Sequence, residues 1–283
     1  MRQFAASTHP GHRRNNNEDC FEAAPELGLW LVADGVGGHA SGEVASAIVG
    51  STMRDDIAQG KKLIDAIHHC HQSILAEIRA RDTSSDMGST VVALRLRGNH
   101  YEIAWVGDSR AYLWDGKLRQ LTHDHNPVYE LQARGAISAE EAAVHPDRHV
   151  LTQSLGVSER MLPQPGSVRG ELLPGQQILL CSDGLTDELP DPAIARHLGE
   201  QPGPQQQVDV LVEAALAAGG RDNVTVLVVG EPENRHPFSP ASPASDMRTT
   251  VEFRREQDSA NPQLMLWPLL GALALLGLWY WLA

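Results

Sequence analysis

Three short apolar segments of the sequence each stop at an aspartate that is followed by a small residue. The segments are LWLVADG, IAWVGDS and QILLCSDG, and their aspartates are Asp34, Asp108 and Asp183. A run of large and β-branched apolar residues that ends in turn-forming residues is typical of a buried strand. The repeated pattern therefore predicts several core strands, each of which places a carboxylate at its end.

A fourth aspartate, Asp222, lies before a strand instead of after one, because only Asn223 separates it from the apolar segment VTVLVV that follows. In an antiparallel sheet the start of one strand lies beside the end of its neighbour, so Asp222 can lie next to Asp183. Converging carboxylates raise one another's pKa unless a cation neutralises them. The pattern predicts a site for a hard divalent ion, Mg²⁺ or Mn²⁺, with turn capping as the alternative for any single aspartate.

The remaining periodicity indicates how these strands are connected. Apolar residues recur at helical spacing in two successive segments, 44–57 and 64–78. Strands linked by turns are expected at 89–96, 101–106 and 111–114, and further elements follow as strands at 177–181 and 224–229 and helices at 192–198 and 205–218. Hairpin-linked strands with helices grouped in pairs favour an α+β fold with antiparallel sheets.

Composition excludes some classes of partner. The chain has 23 Lys and Arg against 36 Asp and Glu, and a net charge of -13 repels nucleic acid phosphates. Its three cysteines form no CxxC pair, which is typical of reduced thiols in a cytosolic compartment. The first residues lack the apolar segment of a secretory signal. We therefore expect a cytosolic enzyme or binding protein that does not bind nucleic acid.

The C-terminal region has a different character from the rest. Residues 264–283 carry no charge, and about 20 helical residues at ~1.5 Å each span ~30 Å, the hydrocarbon thickness of a bilayer. We expect a transmembrane helix at 263–283, with a buried core helix as the alternative. Three arginines precede this segment and no basic residue follows it, which favours a single-pass anchor that keeps the N-terminal bulk of the chain in the cytoplasm.

The domain boundaries follow from composition. Residues 231–262 are rich in Pro, Ser and charged residues and lack apolar periodicity, which is typical of a disordered linker. Residues 1–230 show no internal repeat and are expected to form one domain.

Six motifs in order carry a resemblance to a known family. They are RNNNED from residue 14, DGVGGH from 34, MGST from 87, GDSR from 107, SDGL from 182 and DN from 222. Together they resemble the bacterial metal-dependent protein serine/threonine phosphatases of type 2C over about residues 3 to 230. The resemblance implies an αββα sandwich, in which two antiparallel sheets lie face to face between helices, with a metal cluster at one end.

The resemblance also implies roles for the aspartates. Asp34 corresponds to a ligand that bridges two metal ions, and Gly35 offers its backbone carbonyl to one of them. Asp183 and Asp222 correspond to the other direct ligands. Asp108 resembles the residue that holds a third ion together with Asp183.

Three residues near the N-terminus complete the implied site. Glu18 and Asp19 resemble outer ligands that act through metal-bound water, and Arg14 resembles the arginine that binds the substrate phosphate. The implied reaction uses two or three Mn²⁺ or Mg²⁺ ions, which activate a water molecule for in-line attack on phosphorus.

Two features depart from the family pattern. Val36 occupies the position of a histidine that is proposed as the general acid in eukaryotic members. His39 is then the nearest candidate acid, with a loop role for His39 and proton donation by metal-bound water as the alternatives. The segment 121–156 resembles the family's flap, but Asn126 replaces a usual Ser or Thr, which leaves the substrate contacts open.

The expected function is dephosphorylation of phosphoserine and phosphothreonine in proteins, and the expected substrates are targets of a bacterial serine/threonine kinase. The alternative is a catalytically silent or regulatory membrane adaptor of the same fold that binds phosphoproteins. Two flap histidines, His145 and His149, are expected to be a solvated pair without a role in the site.

Overall fold

The structure is a computed structural model, and it describes residues 2–37, 41–81, 87–160 and 162–230, without the side chains of Ala139 and Ala143. The strands are β1 Phe4–His9, β2 Asp19–Ala24, β3 Leu29–Gly37, β4 Met87–Ser89, β5 Val91–Arg97, β6 His100–Val106, β7 Arg110–Trp114, β8 Leu118–Gln120, β9 Gly166–Glu171, β10 Gln177–Cys181 and β11 Val224–Val229. The helices are α1 Ser41–Ala58, α2 Leu63–Ala80, α3 Pro127–Ala133, α4 Ala139–Ala143, α5 Asp183–Thr186, α6 Asp191–Glu200 and α7 Pro204–Ala218.

The strands form two sheets in which every pair of neighbours is antiparallel. The first sheet has the order β1-β11-β10-β7-β8. The second has the order β2-β3-β5-β6-β9, with β4 paired to β3. The predicted antiparallel α+β fold is confirmed.

Three apolar clusters define the layers of the fold. Residues of both sheets, including Trp30, Trp105 and Leu180, pack together in the central cluster. A second cluster joins α1 and α2 to the outer face of the second sheet, and a third joins α5, α6 and α7 to the outer face of the first. Burial of these apolar faces from water is the main force that holds the sheets together between their helices. The expected αββα sandwich is confirmed.

One predicted strand is divided in the structure. The segment 89–96 was expected to be continuous, but Thr90 separates β4 from β5. The Thr90 backbone N–H donates to the carbonyl oxygen of Asp34 at 2.8 Å instead of continuing one strand. The break therefore turns Thr90 towards the end of β3, where the metal ligands are predicted.

The C-terminal predictions lie outside the described residues. They comprise the linker at 231–262 and the transmembrane helix at 263–283. In the part of the chain that the structure describes, no helix is both long enough and apolar enough to cross a membrane.

Close packing at Gly184 allows a test of the fold near the aspartates. A Cβ atom on Gly184 would overlap the backbone carbonyl oxygen of Asn223, which cannot move without shifting the start of β11. We expect Gly184→Ala to lower the free energy of unfolding by about 1–3 kcal/mol, the usual cost of overpacking, in a chemical denaturation experiment.

The control for this substitution is Gly199→Ala. Gly199 lies in α6, and its added Cβ would meet Trp114 at an ordinary contact distance of 3.4 Å. Alanine in a helix is favoured over glycine by about 0.5–1 kcal/mol, so this variant is expected to be at least as stable as the parent. Equal stability of the two variants would contradict the packing argument.

Candidate metal centre

The predicted carboxylates converge on one cleft at the end of the sandwich. The cleft has a volume of about 680 Å³, and Asp34, Asp108, Asp183 and Asp222 all line it. Asp34 is near the end of β3, Asp108 follows β6, Asp183 follows β10 and begins α5, and Asp222 precedes β11. Because β10 and β11 are antiparallel, the end of one lies beside the start of the other. The convergence predicted from the strand ends is confirmed.

Hydrogen bonds to the loop after β4 fix the backbone at Asp34. The Asp34 N–H donates to Thr90 Oγ1 at 3.0 Å, and Thr90 Oγ1 lies 2.7 Å from Ser109 Oγ. Asp19 lies directly opposite Asp34 in the β2–β3 pairing. A carboxylate pair is thus held by two hydrogen-bonded strands, so neither strand end can move freely away from the other.

The glycine after Asp34 is required by close packing. A Cβ on Gly35 would overlap the carbonyl oxygen of Gly42 in the first turn of α1. The Gly35 N–H donates to the carbonyl oxygen of Glu18 at 3.0 Å. Two glycines therefore let β3 and α1 approach closely beside the segment that carries Glu18.

The DN motif links the N-terminal segment to the cleft. Asn223 accepts the Glu18 N–H at 2.8 Å through Oδ1, and its Nδ2 donates to the carbonyl oxygens of Pro10 and Asn16 at 2.9 Å each. This side chain thereby holds the segment that carries Arg14 and Glu18 against the start of β11. Asn223 is thus a positioning residue.

Arg14 contacts one of the predicted metal ligands. Its Nη2 donates to Asp222 Oδ2 at 2.6 Å, and both side chains line the cleft. This hydrogen bond raises the pKa of Arg14, so the guanidinium stays charged. A cation at this position suits recognition of a phosphate group.

Burial and mutual repulsion perturb the aspartates. Burial, followed by repulsion from Asp19 and Asp183, raises the pKa of Asp34 well above its usual value. Burial, followed by repulsion from Asp108, does the same to Asp183. Burial raises the pKa of Asp19 to about 6. Burial, followed by repulsion from Asp124, raises the pKa of Asp108 to about 7. Burial also raises the pKa of Glu18.

Unpartnered oxygens in this cluster fit a bound cation. Asp19 Oδ2 accepts a hydrogen bond from Ser182 Oγ at 2.7 Å. Asp19 Oδ1 and Asp183 Oδ1 are both buried, and neither finds a hydrogen-bond donor in the described residues. A buried carboxylate oxygen without a donor is costly unless a cation compensates it. Several oxygen donors of this kind suit Mg²⁺ or Mn²⁺.

His149 and Asp187, which the sequence did not assign to the site, also line the cleft. Ligand atoms of His149, Asp183 and Asp187 all lie within 4.8 Å of one another, and His149 Nδ1 is 3.3 Å from Asp187 Oδ2. His149 is exposed, as predicted, but it also lines the cleft, whereas His145 lies 4.0 Å from Asp147. The spacing of Asp187, four residues after Asp183, was the available signal, since it allows both to lie on one helical face.

The flap residue Asn126 has a structural role. Its Oδ1 accepts the Tyr129 N–H at 2.7 Å and so caps α3, while its Nδ2 donates to the carbonyl oxygen of Arg148 at 3.1 Å. Arg148 in turn lines the cleft. Asn126 therefore fixes the part of the flap that borders the site.

The candidate acid His39 lies outside the described residues. Val36, at the position of the family histidine, lines the cleft with 45% of its surface exposed. Val36 offers no proton, so this position of the cleft supplies no general acid.

The chain is similar to known proteins over most of its length. A profile described as "Protein phosphatase 2C" matches residues 10–217. The chain belongs to the protein phosphatase 2C family. The placement of the six motifs around one cleft agrees with this membership, because the motifs that first indicated the family now line or support a single site.

Curated members of the family are similar over most of the described domain. The "Serine/threonine protein phosphatase PstP" of Mycobacterium tuberculosis (strain ATCC 25618 / H37Rv) is 38% identical over 233 residues, which are 80% of this chain and 44% of that protein. The chain thus spans less than half of the length of this relative. The "Serine/threonine phosphatase stp" of Listeria monocytogenes serovar 1/2a is 35% identical over 239 residues, 78% of this chain and 93% of that protein.

A solved structure connects the family to its metal. It is described as the catalytic domain of serine threonine protein phosphatase PstP in complex with 2 manganese ions. It has a TM-score of 0.71 and 34% identity to this chain, and the match covers 82% of this chain and 99% of that one. The manganese in this relative agrees with the oxygen-donor chemistry of the cleft.

Proposed function

We propose that the protein removes phosphate from phosphoserine and phosphothreonine residues of other proteins in a reaction that requires Mn²⁺ or Mg²⁺. The observation that carries the proposal is the set of acidic side chains that converge on one cleft, with two buried carboxylate oxygens that lack a donor among the described residues. The family membership and the names of the relatives agree with this activity.

The proposed ligands are the residues that the sequence singled out. Asp34 would be a ligand shared by two ions, with the Gly35 carbonyl, Asp183 and Asp222 as their other protein ligands. When bound, the ions would lower the pKa of a water molecule and neutralise charge on the phosphoryl oxygens. Glu18 and Asp19 would act through water, and Asp108 would join Asp183 in holding a third ion. His149 and Asp187 offer further ligand atoms within 4.8 Å of that of Asp183.

The remaining side chains act on the substrate. Arg14 presents a charged guanidinium at the rim of the cleft and binds the phosphate of the substrate. Thr90 accepts a hydrogen bond from the Asp34 N–H and Asn223 accepts one from the Glu18 N–H, and these bonds hold β3 and the N-terminal segment in register with the ligands. The reacting groups therefore meet in a fixed geometry. His39 is proposed to protonate the leaving oxygen.

The activity is tested with a phosphothreonine peptide and purified full chain. Release of inorganic phosphate is expected in Mn²⁺, with loss of release in EDTA and recovery when Mn²⁺ is added in excess. An adaptor of the same fold would bind the peptide and release no phosphate under any of these conditions. That outcome would reject the enzyme proposal in favour of the adaptor.

We also propose that residues 263–283 anchor the protein in the bacterial inner membrane, with the linker 231–262 between the membrane and a catalytic domain in the cytoplasm. An uncharged segment long enough to span a bilayer supports this location. The proposed substrates are proteins that a serine/threonine kinase of the same cell phosphorylates.

The anchor is tested by separating membranes from cell extract. The full chain is expected to sediment with the membranes and to resist extraction by high salt and by carbonate at high pH, whereas a chain that ends at residue 230 is expected in the soluble fraction. Recovery of the full chain in the soluble fraction would contradict the anchor.

A further inference from the structure

A second depression lies on the outer face of the second sheet. It has a volume of about 530 Å³, and we name it the basic groove after its residues, which are Arg95, Arg97, His100, Tyr101, Glu102, Arg169, Gly170 and Glu171. Alternation along β5 puts Arg95 and Arg97 on the same face as Val91 and Ala93, which pack under α1 and α2. The groove is therefore a part of this face at the far end of β5.

The basic groove is separate from the metal centre. Thr90, just before β5, lines the cleft of the metal centre, whereas Arg97 ends the strand. Seven residues at ~3.3 Å each put the two sites roughly 20 Å apart along β5. A ligand in the groove therefore does not touch the catalytic residues.

Acidic residues of the groove are already paired. Arg169 binds Glu102 through two nitrogens, with its Nε at 3.1 Å from Glu102 Oε1. His100 Nδ1 lies 3.5 Å from Glu171 Oε1. Glu102 lies opposite Arg95 in the β5–β6 pairing, but its carboxylate is hydrogen-bonded to Arg169. The lining contains three arginines and two glutamates.

Arg95 and Arg97 keep their hydrogen-bonding capacity. Arg95 Nε and Nη1 are buried and find no acceptor in the described part of the chain. Within the same residues, Arg97 makes no side-chain hydrogen bond or ion pair, and its side chain is exposed. Burial, together with the charge of Arg97, lowers the pKa of Arg95, although an arginine remains protonated. Arg95 and Arg97 both line the groove, and neither is hydrogen-bonded to an acidic residue in the described part of the chain.

We propose that the basic groove is a second phosphoryl-binding site, in which Arg95 and Arg97 bind the oxygens of one phosphate group. A phosphate carries about −1.5 to −2 charge at pH 7, which two guanidinium groups can neutralise. Turning the Arg95 side chain towards the groove gives its unpartnered donors the acceptors that they lack. Against a net charge of -13 for the chain, this local excess of positive charge attracts anions selectively.

Two sources can supply this group. One is inorganic phosphate, which is the product of the proposed reaction, and the other is a phosphorylated side chain of a protein. Both present the same oxygens to the two arginines. The groove is therefore tested with inorganic phosphate and with a phosphothreonine peptide, each beside its matched control of sulfate or unphosphorylated peptide.

The test measures binding by calorimetry to full chain in EDTA, where turnover is absent and the result does not depend on phosphatase activity. Arg95→Met and Arg97→Ala are each expected to weaken binding of at least one phosphoryl probe by about tenfold or more, because each removes charge-assisted hydrogen bonds. Arg196→Ala, which removes another exposed arginine from α6, is expected to bind as the parent does. Arg97→Ala is also expected to hydrolyse a small aryl phosphate in Mn²⁺ at the parental rate.

The outcomes separate the two sources. Binding of inorganic phosphate that depends on both arginines identifies the free ion as a ligand, and binding of the phosphopeptide alone identifies a phosphorylated protein segment. Parental affinity for both probes in both groove variants would overturn the proposal, as would the absence of any binding by the parent. Loss of all binding in Arg14→Ala would place the phosphate in the cleft and would also overturn it.

Discussion

Replacing Asp34 by Asn is expected to reduce Mn²⁺-dependent hydrolysis by at least about a thousandfold and, in the same protein, to raise the melting temperature of the metal-free form. The amide keeps the shape of the side chain but removes a negative charge that repels Asp19 and Asp183. Without a cation this repulsion destabilises the fold, so its removal stabilises the protein. Loss of one direct ligand weakens the ion that the reaction requires.

The opposite signs of the two effects make this variant informative. Hydrolysis of a phosphothreonine peptide gives the first effect, and calorimetric unfolding in EDTA gives the second. Asp209→Asn is the matched control, because Asp209 lies on α7 with an exposed side chain and, among the described residues, accepts a side-chain hydrogen bond from Gln205 alone. A variant that retained the parental rate would refute the assignment of Asp34, and one that lost activity by unfolding would show a lower melting temperature instead.

The stability of the metal-free protein is expected to fall as pH rises from about 5 to 8. Burial raises the pKa of Asp108 from 3.8 to about 7 and that of Asp19 from 3.8 to about 6. Between the unfolded and folded pKa values the folded protein binds more protons than the unfolded one, so each step up in pH favours unfolding. The stabilisation is complete below about pH 4 and is lost as pH rises through the folded values.

Bound Mn²⁺ is expected to remove most of this pH dependence, because it replaces protons as the positive charge in the cluster. The difference in melting temperature between Mn²⁺ and EDTA should therefore grow with pH. Glu188 does not mask the effect. Its hydrogen bond with Arg221 lowers its pKa, so the stability that Glu188 contributes is lost only at pH values below about 4.5. A metal-free melting temperature that rose over pH 5 to 8 would contradict the charge cluster, and Asp34→Asn should show a shallower slope than the parent.

The strands that the sequence predicted are those with continuous apolar runs. LWLVADG and VTVLVV became β3 and β11, because strands between two packed layers bury both of their faces. FAASTH and DCFEAA, which form β1 and β2, were not predicted. Both lie at sheet edges and mix small and polar residues, so the alternation of apolar and polar residues along them is weak. Pairing with the neighbouring strands therefore determines their conformation.

The metal centre was predictable where a residue directly follows or precedes an apolar strand. Asp34, Asp183 and Asp222 have such positions, and strand geometry then brings them together. His149 was not predictable in this way, because it belongs to the flap, whose path over the cleft depends on contacts such as that of Asn126 with the carbonyl of Arg148. Local sequence patterns carry no information about such a path.

The hydrogen bond between Arg14 and Asp222 joins two roles that the proposed function assigns to different residues. The same carboxylate positions the guanidinium that would bind phosphate and is itself a proposed metal ligand. Phosphate binding and metal binding would therefore be coupled through Asp222, so that a substitution at either residue affects both.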